Sequence, residues 1–203
     1  MRSVIIDYGM SNLGSIRQAL DECGGSPVVT DNPADLKTAT HIFLPGVGAF
    51  KDGMDNLRNN GWVEAIREAA LKDKVPFLGI CLGMQLLARK GYEMGESDGL
   101  NLIDGEVKLL QPKGNERIPH VGWNEVYPTA EWPLFSSIPK GTDFYFVHSY
   151  HFIPQDKKNI MSTTPYCGEF VSGVVSGNVF GVQFHPEKSQ RPGFQLLRNF
   201  LAL

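Results

Sequence analysis

Short apolar runs alternate with stretches of helical period through the first half of the chain. Val4–Ile6 is an unbroken apolar run ending on the turn Asp7-Tyr8-Gly9, and it predicts a buried strand. Leu13, Ile16, Ala19, Leu20 and Cys23 then fall on one face of a helix, which Gly24-Gly25 stops. Pro27–Thr30 and His41–Leu44 predict two more strands, the second cut off by Pro45-Gly46. Helical patterns follow over Asp52–Asn59 and Val63–Lys72. Val75–Ile80 then reads as a strand and Leu82–Lys90 as a helix. This alternation predicts βαβ units on a parallel sheet covered on both faces.

The pattern changes from Gly105 to Gly181. Aromatic and β-branched residues are interrupted by turn punctuation at Gln111-Pro112-Lys113-Gly114, Tyr127-Pro128, Pro139-Lys140-Gly141 and Ser176-Gly177-Asn178. Short, largely antiparallel strands are expected here. A closing strand, Val179–Phe184, runs into His185-Pro186, and an amphipathic helix carrying Phe194, Leu197, Phe200 and Leu201 ends the sequence. These last two elements are expected to return to the first sheet, so residues 1–203 read as a single domain. The fold class is α/β: a mostly parallel central sheet flanked by helices, with a smaller antiparallel strand-rich part. There is no internal repeat and no low-complexity segment.

Composition narrows the function. Charged residues make up 20% of the 203 positions and the formal net charge is -3, which argues against a nucleic-acid partner. No run of about 18 apolar residues occurs, and the N-terminus lacks the pattern of a signal peptide, so no membrane role is expected. The three cysteines, Cys23, Cys81 and Cys167, form no C-x-x-C pair. Neither a disulfide framework nor a metal site is suggested, and a reducing cytoplasm is the expected compartment.

One of the three has chemistry around it. Gly79-Ile80-Cys81-Leu82-Gly83 is a G-x-C-x-G pentapeptide at a predicted strand-to-helix junction, the thiol counterpart of a nucleophile elbow. The glycines let neighbouring backbone pass close to a strained residue. A helix N-terminus there favours an anion, and open α/β sheets bind ligands at this edge. The competing reading is a small buried hydrophobe, the common fate of a free cysteine. Cys23 continues an apolar helix face and reads as core. Cys167 lies in a turn-rich stretch with no base beside it.

A cysteine nucleophile needs an imidazole to take its proton and a carboxylate to orient that imidazole. His185-Pro186-Glu187 supplies both after the last strand, and an extended segment would put both side chains on one side. Pro186 biases His185 towards such geometry. His41, His120, His148 and His151 lack that context and read as structural, with His120 placed in a loop. Pro45-Gly46-Val47-Gly48 can provide part of an oxyanion site. One donor would be the Leu82 N–H just after the nucleophile, the other an N–H of Val47 or Gly48. Gln85 lies one helical turn after Cys81 and shares its face. Its other reading is a solvated helix residue.

P-G-V-G, G-I-C-L-G-M-Q and Q-F-H-P-E-K-S, in that order, resemble the class I (triad-type) glutamine amidotransferases. Ile6–Leu13, Pro119–Asn124 and Tyr145–Tyr150 extend the similarity over nearly the whole chain and are closest to the branch that serves histidine biosynthesis. The resemblance implies Cys81 as nucleophile, His185 as base and then acid, and Glu187 as its orienter. It implies Gly46, Val47, Gly48 and Leu82 as the oxyanion site, the first three on a strand that rearranges before it becomes competent. Gln85 and Glu93 would hold L-glutamine, with Ser149 and Tyr150 close by through their backbone. Hydrolysis to glutamate would proceed without metal or organic cofactor. The ammonia would pass to a (β/α)8-barrel synthase subunit, in a heterodimer, that makes imidazole glycerol phosphate and an aminoimidazole carboxamide ribotide. His120–Asn124 would face that partner, although Trp123 fits a core position equally well. A paralogue feeding a different synthase, such as a sugar-amidating enzyme, remains open. A non-catalytic subunit or a hydrolase of another substrate fits the filled triad and the Gln85 environment less well.

Overall fold

The structure, a computed structural model, describes residues 2–203. The chain runs β1 (Ser3–Ile6), α1 (Leu13–Glu22), β2 (Val28–Thr30), β3 (His41–Gly46), α2 (Phe50–Asn59), α3 (Trp62–Arg67), β4 (Phe77–Cys81) and α4 (Leu82–Leu86). It continues through β5 (Lys90–Gly91), β6 (Ser97–Asp98), β7 (Gly105–Leu109), β8 (His120–Pro128), β9 (Thr142–His148), β10 (Tyr150–Pro154), β11 (Ile160–Thr164), β12 (Phe170–Ser176), β13 (Val179–Val182) and α5 (Gln190–Leu201). A nine-stranded sheet has the order β2-β1-β3-β4-β13-β12-β11-β8-β9, and a four-stranded sheet the order β10-β7-β5-β6. The large sheet is parallel from β2 to β13 and antiparallel from there to β9.

Alternate residues of the parallel strands face opposite sides, as a pleat requires. Val4, Ile6, Ile42, Leu44 and Phe77 pack with α2, α3 and α4, while Ile5, Phe43, Leu78 and Ile80 pack with α1 and α5. The small sheet joins the first core through Val107 and Phe152; β8 and β9 join the second through Val126, Phe144 and Phe146. Burial on both faces explains why these parallel strands read as unbroken apolar runs. β13 lies beside β4, so the closing strand returns to the first sheet as expected.

Several expectations are corrected. The helix expected over Leu82–Lys90 ends at Leu86, because the Leu86, Leu87 and Ala88 carbonyls accept the amides of Leu100, Leu102 and Asn101 instead of continuing the helix. Val63–Lys72 is α3 followed by a wider π turn. The later strands are not all short: β8 has nine residues and pairs with β9 along most of its length. His120 opens β8 and does not sit in a loop.

Candidate active site

The register brings three segments together at one sheet edge. Gly46 lies opposite Cys81 across β3 and β4, and Ile80 opposite Val182 across β4 and β13. The loop after β3, the turn at Cys81 and the segment after β13 are therefore neighbours, where open α/β sheets place ligands.

Cys81 has φ 55° and ψ -110°, a conformation that costs a non-glycine residue about 1–3 kcal/mol and needs strong local support. The flanking glycines give that support through close approach. A Cβ on Gly79 would stand 2.6 Å from the Gly83 carbonyl oxygen, and one on Gly83 would overlap the Leu44 carbonyl oxygen. Both contacts are with backbone, so the spacing G-x-C-x-G is dictated by the packing of α4 onto β3 and β4. The thiol is 6% exposed, buried yet facing the pocket described below. It makes only long contacts, 3.8 Å to the Val147 carbonyl and 3.7 Å from the Gln183 side-chain amide.

His185 and Glu187 meet, though not through an extended segment. Pro186 opens a 3₁₀ turn, and extended geometry is kept at His185 alone (φ -101°, ψ 95°). The imidazole Nδ1 still donates to Glu187 Oε1 at 2.8 Å, with both side chains almost fully buried. That commits Nδ1 to Glu187 and leaves Nε2 with no partner among the described residues. Burial disfavours the imidazolium, but Cys81 and Glu187 together outweigh it and raise His185 from 6.5 to about 10. The turn is braced by Ser189, whose hydroxyl donates to the His185 carbonyl at 2.6 Å and accepts the Tyr145 N–H at 3.0 Å.

A pocket of about 480 Å³ opens onto the thiol. Val47, Gly48, Cys81, Leu82, Gln85, Glu93, Ser149 and Tyr150 all line it, so it gathers residues that lie far apart in sequence. His185 and Glu187 lie outside the lining. Gln85 is 4% exposed, which excludes the solvated reading. Its side-chain amide donates to the Tyr150 carbonyl at 2.9 Å and to Gln183 Oε1 at 3.1 Å, leaving its own Oε1 to accept. Glu93 Oε2 accepts the Phe50 N–H at 2.9 Å, and burial raises this carboxyl above its ordinary range. Ser149 directs its carbonyl to the Leu110 N–H.

The Pro45–Gly48 loop, expected to supply an oxyanion donor, borders the pocket with Val47 and Gly48 but has one amide turned away from it. The Val47 N–H donates to the Met10 carbonyl at 2.8 Å and cannot serve the pocket in this arrangement. The Ser11 hydroxyl holds the same loop through the Pro45 carbonyl, also at 2.8 Å. Leu82 begins α4, where amides have no intrahelical acceptor. The loop restraints from Met10 and Ser11, and the contributions of Gln183 and Ser189, are not legible in the sequence. Ser189 and Gln183 do flank the His-Pro-Glu segment, which is the only signal they gave.

Cys23 is half-buried, its thiol 3.5 Å from the Phe194 carbonyl, and Cys167 is buried and does not line the pocket. Among the described residues no group of three or more His, Cys, Asp or Glu could hold a metal ion, and no helix is long and apolar enough to cross a membrane. A thiol beside a fixed imidazole, opening onto a small pocket with Gln85 and Glu93 in its wall, can attack the carbonyl of a compact carboxamide or ester.

A family model described as glutamine amidotransferase class-I matches residues 4–203. Among curated proteins, the imidazole glycerol phosphate synthase subunit HisH of Moorella thermoacetica is 52% identical over 196 residues, covering 97% of this chain and 92% of that protein. The subunit of the same name from Aquifex aeolicus is 47% identical over 203 residues, covering 98% and 96%. A solved structure described as a glutamine amidotransferase superposes with a TM-score of 0.77 at 17% identity, over 98% of this chain and 97% of that one. That of PurLQS from Thermotoga maritima gives 0.76 at 22%, over 99% and 97%. At such identities these two likenesses speak for the fold alone.

Proposed function

The chain belongs to the class I glutamine amidotransferases, and from that premise we propose that it is the glutaminase subunit of imidazole glycerol phosphate synthase. It acts in histidine biosynthesis, in the cytoplasm. The observation that carries this reading is the strained Cys81 lining a pocket, with the buried His185–Glu187 pair near enough for the cysteine to shift the imidazole. The relatives named HisH, matched over nearly their full length, give the pathway.

In this mechanism the thiol proton already resides on His185 Nε2, in keeping with the raised imidazole, and the Cys81 thiolate attacks the side-chain carboxamide carbon of L-glutamine. A C–S bond forms and the carbonyl oxygen becomes an oxyanion. Each donor to that oxyanion supplies about 3–4 kcal/mol of barrier lowering. Leu82 N–H is one donor, and Val47 N–H becomes the other once it leaves the Met10 carbonyl. Gly46 and Gly48 give the loop room to turn. The C–N bond then breaks as the His185 imidazolium protonates the departing ammonia. Water, deprotonated by His185, hydrolyses the thioester to glutamate and frees Cys81. Gln85 Oε1 and the Glu93 carboxylate bind the α-ammonium end of the substrate, with the Ser149 and Tyr150 backbone beside it. The ammonia passes to a (β/α)8-barrel synthase subunit. That partner docks on the outward face of β8 and β9, where Val121 is 56% and Trp123 48% exposed.

In the complex with its synthase, Cys81→Ala is expected to abolish glutamine-dependent product formation while leaving synthesis from ammonium salt intact. Glutamine-dependent turnover retained in Cys81→Ala sinks the assignment.

A further inference from the structure

The large sheet carries a chain of side-chain hydrogen bonds, buried at its two histidines, that the hydrolysis does not use. His148 Nδ1 contacts the Tyr150 carbonyl at 2.9 Å. His148 Nε2 contacts His120 Nδ1 at 3.0 Å, and His120 Nε2 contacts the Asn124 side-chain amide nitrogen at 3.2 Å. The same amide nitrogen donates to the Pro165 carbonyl at 3.2 Å, and the Asn124 Oδ1 accepts the Glu125 N–H at 2.8 Å.

The donors and acceptors along this chain have one consistent assignment. A carbonyl oxygen can only accept, so His148 carries its proton on Nδ1. A neutral ring then leaves Nε2 to accept, so His120 also carries its proton on Nδ1 and accepts from Asn124 at Nε2. Burial favours these neutral rings, holding His148 down to about 3 and His120 to about 4. Stacking of His120 between Phe146 and Tyr166 fixes its plane.

The chain ends in the pocket wall. The Tyr150 carbonyl has two lone pairs; His148 takes one, and the side-chain amide of Gln85 takes the other. Gln85 continues to Gln183, and Gln183 to the Cys81 thiol. At its other end, Asn124 and His120 lie on β8, whose opposite face carries the exposed Val121 and Trp123.

Resting on the glutaminase reading above, we infer that His148 and His120 are positioning residues for glutamine. They hold the Tyr150 carbonyl, and through it the Gln85 acceptor, in the geometry the substrate requires, and they tie that geometry to the register of β8. If one donor is lost, Tyr150 and Gln85 relax together and binding suffers before chemistry does. The group that matters is a donor at the Nδ1 position. An asparagine side chain reproduces that position, whereas glutamine reproduces Nε2.

Steady-state glutaminase kinetics in complex with the synthase subunit test this. His148→Gln is expected to raise KM for glutamine about tenfold with kcat within about twofold, whereas His148→Asn stays within about threefold of the native KM. His120→Gln is expected to raise KM about threefold, and His120→Asn to restore it. A side chain that merely fills space would favour glutamine, the closer in size to histidine. Equal KM values for the Asn and Gln variants at position 148, or a loss confined to kcat, overturns the inference. Thermal unfolding of each variant separates a shifted KM from a failed fold. The native complex in the same assay reports on the glutaminase reading independently, since that reading fails if the native complex releases no glutamate.

Discussion

The turn at Cys81 and the loop Pro45–Gly48 stand on neighbouring strands, face the same pocket and are held in opposite ways. The turn is locked by backbone against backbone: Gly79 against Gly83, and Gly83 against the Leu44 carbonyl. The loop is held by two hydrogen bonds from the segment after β1, one to Met10 and one from Ser11. Backbone overlap allows no alternative arrangement, whereas two hydrogen bonds, each worth about 1 kcal/mol net, can be exchanged for others. On the proposed reading, the nucleophile is thus kept ready while one oxyanion donor is kept away. In this site, readiness and restraint are separate properties of adjacent strands.

The most severe way to break the comparison is Gly83→Ala. Forced overlap with backbone is expected to cost at least about 3 kcal/mol. For a chain of this size that is a fall of roughly 6–12 °C in the unfolding midpoint, read by calorimetry or circular dichroism. Gly48→Ala on the loop should be milder in stability. Its φ of 116° imposes strain, but the new Cβ, 2.5 Å from the Met10 methyl, meets the end of a flexible side chain. Turn variants should lower basal and partner-stimulated glutaminase in proportion, while loop variants should change the ratio between them.

Glu187→Gln sharpens the fixed side of the comparison. The imidazole loses its carboxylate, and kcat is expected to fall about 10²- to 10⁴-fold with or without the partner. A pH signature accompanies this. Burial works against the charged ring, and Cys81 with Glu187 overcomes it, so His185 is raised from 6.5 to about 10. A raised imidazole contributes its stability in full below about pH 6.5 and loses it as pH climbs through about 10. The native chain's stability margin over Glu187→Gln should therefore shrink across that window. A margin that widened with pH would contradict the buried ion pair.

Ser11→Ala is the smallest change and tests the restrained side. Loss of the Pro45 contact, worth about 1 kcal/mol, should raise basal glutaminase by up to about fivefold and leave the partner-stimulated rate nearly unchanged. No rise in basal rate would mean that the loop is held by something other than the segment after β1.

The two regions also differ in how far the sequence disclosed them. Cys81 was legible because its glycines sit at a fixed spacing within one turn, and His185 with Glu187 because they are two residues apart. The parallel strands were legible because burial on both faces leaves them unbroken runs. The early end of α4 was not, since its last carbonyls are taken by amides from Leu100 to Leu102, a tertiary event. The Met10 and Ser11 restraints were hidden for the same reason, each spanning more than thirty residues of sequence. Neither His120 nor His148 stands out alone in the sequence. Only the pairing of β8 with β9 sets them side by side.

The contact between Gly83 and the Leu44 carbonyl has a genetic corollary. Its partner is an atom that every amino acid carries, so no replacement at position 44 can make room for a side chain at position 83. A suppressor screen begun from Gly83→Ala should return only restored glycine. Begun from Gly48→Ala, it has an escape open, because shortening Met10 removes the group in the way.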